Sequence, residues 1–198
     1  MRRRIVIALL CGAAFILDGQ QPQGSPATGI AFELVGQVLN PTPTQSIQYG
    51  YLNAVNGISR ITTQQAPVSE ANGLFTFYND TTTQQVINIG PMRVIDRTGT
   101  STIYFNEAGN NDFAASDNFR KGTPVHFATL RHQVVIDSSS GFFTATFENT
   151  ITDTTSFQID GKTLYLGRPG QTYRVTVLGH LPTQGPPAAH IAGFAPGR

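Results

Sequence analysis

The sequence predicts an all-β fold, a single antiparallel β-barrel of roughly eight to ten strands, with a β-sandwich as the alternative. Three observations carry this. After Leu17 no segment sustains a 3.6-residue apolar period without a Gly, Pro or β-branched interruption, whereas period-two alternation recurs along the chain. Turn residues punctuate the alternating stretches at short intervals, the pattern of antiparallel meanders, sandwiches and barrels. The stretch from Val125 to Ile151 reads as one long hairpin whose two faces can be assigned residue by residue. Continuous hairpin connectivity favours closure, because a closed barrel has no edge strand to template aggregation.

The chain has 198 residues, enough for one well-buried domain. Its beginning reads as a leader. Arg2, Arg3 and Arg4 form a positive start, and Ile5 to Leu17 is an apolar run shorter than the ~20 residues a spanning helix needs. This is the pattern of a signal peptide, so the protein is expected to be secreted or otherwise extracytoplasmic, with cleavage between Leu17 and Ala27. Leu10 stands before Cys11 where a lipid-anchor signal wants a small residue, which argues against an anchor. The organisation expected is a leader over 1–27, a barrel domain over 28–181 and a Pro/Gly/Ala-rich tail over 182–198. Removal of the leader takes away Arg2, Arg3, Arg4 and Asp18, leaving 10 basic and 11 acidic residues and no cysteine. A near-neutral domain with scattered cations lacks the basic face that nucleic acid or an anionic membrane surface requires.

The candidate strands, in order, are Ile30 to Leu39, Ile47 to Val55, Leu74 to Tyr78, Val86 to Asp96, Thr100 to Phe105, Val125 to Asp137, Phe142 to Thr152, Thr155 to Ile159, Lys162 to Leu166 and Gln171 to Leu181. Asn106 to Gly122 is the longest gap, and Asp117 to Arg120 could carry one helical turn within it. Asp160-Gly161 is the strongest turn signal, since a two-residue type I′ turn needs positive φ at both central positions. It sets Ile159 opposite Lys162 and Phe157 opposite Leu164. Thr98-Gly99 suggests a second, weaker turn that would set Val94 opposite Ile103 and Met92 opposite Phe105.

The third hairpin turns at Ser138 to Gly141. A four-residue loop pairs Ile136 with Phe143, Val134 with Ala145, Leu130 with Asn149 and Ala128 with Ile151, all on one mostly apolar face. The other face then opposes Arg131 to Glu148, Thr129 to Thr150 and Val135 to Thr144, as a solvated face should, and Arg131 with Glu148 would form an exposed ion pair. The apolar face also holds His126, His132, Asn149 and Asp153, with His132 across from Phe147 and His126 across from Asp153. Polar groups facing inward must be hydrogen-bonded or wet. His132, Asn149, Phe147, His126 and Asp153 are therefore the candidate ligand-binding residues, set against the alternative of a core histidine satisfied by a backbone carbonyl.

Catalytic signatures are lacking. Ser138 to Gly141 has no nucleophile-elbow pattern, no spacing of His and Cys suits a transition metal, and nothing calls for a cofactor. Gly167 to Gly170 fits a tight turn or an anion-binding loop around Arg168. Glu33, Glu70, Glu107 and Glu148 are carboxylates whose spatial relation the sequence leaves open. Tyr49 with Tyr51, and Phe75 with Phe77, form aromatic rows suited to packing or to stacking a flat ligand. The layout is similar to small closed barrels such as lipocalins and allene oxide cyclase-like proteins, a resemblance that implies a fold and no function. Three function classes fit: a protein binding a small, largely apolar ligand inside the barrel, a cyclase or isomerase using the lumen to steer a reactive intermediate, and a structural or adhesive surface protein.

Overall fold

The computed structural model describes residues 31–63, 67–182 and 185–196. The expected leader, its cleavage site and Cys11 lie outside the described residues. Ten strands are present: β1 (Ala31–Leu39), β2 (Gln45–Val55), β3 (Phe75–Ile89), β4 (Met92–Phe105), β5 (Thr123–Asp137), β6 (Phe142–Thr154), β7 (Phe157–Ile159), β8 (Lys162–Leu164), β9 (Thr172–His180) and β10 (Ala189–Pro196). Eight of them form a closed antiparallel barrel in the order β1-β10-β9-β6-β5-β4-β3-β2, and β7 with β8 makes a separate hairpin. Because β1 pairs with both β2 and β10, the sheet has no free edge.

The β5–β6 register is the one the alternation predicts, from Ile136↔Phe143 through Ala128↔Ile151. A shift between Phe127 and Ala128 then breaks the count. His126 faces Thr154, and Asp153 falls across from Phe127 and is exposed, so the expected His126–Asp153 pair does not form. One extra residue in a strand turns every later side chain to the opposite face. Arg131 does lie across from Glu148, but the ion pair of Glu148 is with Arg174 on β9, its neighbour on the other side.

Three other expectations are corrected. Thr98-Gly99 is not a turn: β4 runs unbroken from Met92 to Phe105, and β3 turns into it at Gly90-Pro91, with Gly90 at φ 57. Gly99 lies mid-strand because a Cβ there would sit 1.9 Å from the Asp80 carbonyl oxygen. The stretches Leu74 to Tyr78 and Val86 to Asp96 therefore belong to one long hairpin. Finally, residues 189–196 are not a tail but the strand that closes the barrel.

The Asp160-Gly161 turn has positive φ at both residues and the expected pairs. This β7–β8 hairpin plugs one end of the barrel. Phe157 packs against Phe75 and Phe105, with ring centroids 5.4 and 5.0 Å away, and the Asp160 carboxylate accepts a bond from Arg60 at 2.7 Å. The 3-10 turn Ser116–Arg120 falls where expected. Its Phe119 is fully buried against Tyr49 on the outer face of β2, and its backbone carbonyl accepts a hydrogen bond from Thr76. Tyr49 thus packs under a loop, while Phe75 and Phe77 are interior core.

Candidate functional site

Alternation aims one side of each strand into the barrel, and those residues change character along its axis. At the plugged end they are large and apolar: Leu52, Phe75, Phe105 and Ile151 are all buried. His126 belongs to this end. Its Nδ1 is 2.8 Å from the Leu166 carbonyl and its Nε2 is 2.9 Å from the Tyr173 hydroxyl. A carbonyl only accepts, so Nδ1 carries the proton and Nε2 accepts from Tyr173. Burial lowers the His126 pKa, which agrees with a neutral ring. His126 is therefore a satisfied structural histidine that ties the segment after β8 to β5 and β9.

Midway along the axis, Asn79, Ser101 and Asn149 face a void of about 20 Å³. Asn149 donates weakly to the Phe147 carbonyl at 3.4 Å, and the Oδ1 atoms of Asn79 and Asn149 have no protein partner. A void of this size has room for about one water, whose two protons match two acceptors.

The other end is open and holds a cavity of about 280 Å³. Its walls are apolar on one side, with Val134, Phe143, Val177 and Ile191, and polar on the other, with Ser46, Gln48, Arg97 and His132. The β1–β2 loop at Thr42 and Pro43 and the β9–β10 connection at Leu181 and Ala188 form its rim. Room for the aromatic wall comes from Gly179, where a Cβ would stand 2.0 Å from the Phe143 ring. His132 is 4% exposed and stacks flat on Phe147, with centroids 4.1 Å apart and planes at 8°. Neither of its ring nitrogens has a protein partner. Burial, and secondarily the Arg97 charge, push its pKa down to about 3, so the ring is neutral at neutral pH.

Beside it, Gln48 donates to Ser46 Oγ at 2.9 Å and to Thr81 Oγ1 at 3.4 Å, while its Oε1 is buried without a partner. Arg97 donates from Nε to Thr83 Oγ1 at 3.3 Å. Burial, with a contribution from Arg93, brings its pKa down to about 10, and it remains a cation at neutral pH.

Comparison with protein-family models, with curated proteins and with solved structures finds no match to this chain.

Of the five candidate residues, His132 and Phe147 line the cavity, Asn149 lines the smaller void with Phe147, His126 supports the plug, and Asp153 is on the outside. Gln48, Arg93 and Arg97 escaped the sequence reading. Arg97 was legible in principle: Ile95, Arg97, Gly99, Ser101, Ile103 and Phe105 alternate on one face once Gly99 is counted within the strand. Glu33 bonds Asn53 outside the barrel, and none of the four unplaced glutamates lines the cavity. Gly167 and Gly170 both have positive φ, and Gln171 N–H donates back to the Arg168 carbonyl at 3.1 Å, the geometry of a turn. Among the described residues no group of three or more His, Cys, Asp or Glu is arranged to hold a metal, and no helix is long and apolar enough to cross a membrane.

Proposed function

We propose that this chain is a secreted protein whose barrel holds a small, largely apolar ligand. The observation that carries the reading is the open-ended cavity of about 280 Å³, which joins apolar walls to a few convergent polar groups, His132 foremost, whose hydrogen-bonding capacity no protein group uses. That is the usual composition of a small-molecule site, and its volume lies just below the roughly 300–1,000 Å³ typical of such sites. Binding is favoured over catalysis because His132, the one histidine in the lining, is a weak base with no group orienting its ring nitrogens. The unfilled interior also speaks against a purely structural role.

Native mass spectrometry of the protein purified from its own secretion medium tests the proposal. The expected species lacks the leader and carries a small molecule that organic solvent releases. Titration with the neutral dye N-phenyl-1-naphthylamine should show one saturable site, lost when Ile136→Trp fills the cavity mouth. Retention of the leader would overturn the location. A protein that carries no small molecule and binds the dye no better than its Ile136→Trp variant would overturn the ligand.

A further inference from the structure

The cavity has an electrical asymmetry that an apolar ligand alone leaves unused. Arg93 and Arg97 both line it, and no Asp or Glu does. Among the described residues the ion pairs are Arg60–Asp160, Arg120–Asp117 and Arg174–Glu148, so neither cavity arginine has a counter-ion. Arg97 lies on the inner face directly across from His132, and a single hydrogen bond to Thr83 engages one of its five donors. A cation withdrawn from water without an anion is unfavourable. The same guanidinium forms strong paired hydrogen bonds when a carboxylate reaches it. His132 adds a ring N–H whose position is not fixed by any protein acceptor. Ser46 and Gln48 continue this polar side, and Ile95, Val134, Phe143 and Val177 are among the apolar residues of the wall.

Building on the ligand-binding reading above, we infer that the natural occupant is a small amphipathic carboxylate, its apolar part between Val134, Phe143 and Val177 and its carboxylate on Arg97 beside His132. Arg93, exposed at the mouth, adds positive potential along the entry route. Such an occupant accounts for a half-buried arginine and an unpartnered histidine in a cavity that apolar residues would fill at less expense in stability.

Calorimetric titration of the full-length chain with octanoate, 1-octanol and octylammonium separates the alternatives. Octanoate should bind at least about tenfold more tightly than 1-octanol, the range of one charge-assisted contact, and octylammonium least of all. Arg97→Gln should bring octanoate to the level of the alcohol bound by the same variant, and Arg97→Lys should retain part of the preference. Should Arg97→Gln not fold, the wild-type series and the lysine variant decide. Equal binding of acid and alcohol, or preference for the amine, overturns the carboxylate inference and leaves an apolar site standing. Binding of none of the three overturns the ligand reading itself.

Discussion

His126 and His132 stand on the inner face of the same strand, and their surroundings give them opposite roles. His126 is bonded on both ring nitrogens, so His126→Leu takes its donor from the buried Leu166 carbonyl and its acceptor from the buried Tyr173 hydroxyl, which keeps only its contact with Ser101. The expected loss is about 2 kcal/mol or more in unfolding free energy. His132→Leu strands no protein group, and its stacking on Phe147 is replaced by aliphatic contact. Urea titration should place that variant within about 1 kcal/mol of wild type, with weakened octanoate binding. A loss at His132 equal to that at His126 would mean that a protein partner satisfies it. The inward direction of both histidines was legible from period two and the four-residue loop. Their partners were not, because Leu166 and Tyr173 reach His126 from 40 and 47 residues away.

At the scale of the element, β5 and β6 were readable because their turn, alternation and apolar pairing agree on one register. In β3 and β4 the local signals conflict. Glycine marks a turn through positive φ or a close backbone approach through its missing Cβ, and a sequence shows the residue without the reason. Gly99 serves the second purpose and Gly90 the first. The same ambiguity hid β10. Its inward positions, Ala189, Ile191, Gly193 and Ala195, are mostly small, and Gly193 accommodates the backbone and side chain of β9, where a Cβ would stand 2.5 Å from the Thr176 carbonyl oxygen. A run of small residues near Pro and Gly resembles a tail until it has neighbours on both sides. Truncation after Pro182 should open the edges of β1 and β9, abolish cooperative unfolding and produce concentration-dependent assembly in analytical ultracentrifugation. A truncated chain that stays monomeric with a wild-type midpoint would show that β10 is dispensable.

For the molecule as a whole, two buried neutral histidines couple folding to pH. Desolvation holds both pKa values below the ordinary 6.5, that of His132 at about 3. Below the ordinary value the unfolded chain binds protons that the folded barrel refuses, so stability is full above it and declines as pH falls. For His132 the decline extends from 6.5 to about 3. The lowered pKa of Asp137, held by hydrogen bonds from Ser139 and Ser140, acts in the same sense at more acid pH. Urea midpoints at pH 7.5, 6.0 and 4.5 should fall progressively, less steeply in His132→Leu. A flat profile would show that both rings ionise freely in the folded state.

The amino-acid sequence by itself determined the all-β class, the single antiparallel sheet and the two faces of β5 and β6, since each follows from alternation and turn chemistry within a few residues. Closure by β10, the plugged end, the bulge that separates His126 from Asp153 and the meeting of Arg97 with His132 were decided by tertiary structure alone. Each depends on contacts between distant strands, where packing and backbone approach select among registers and connections that local propensity leaves nearly equal in energy.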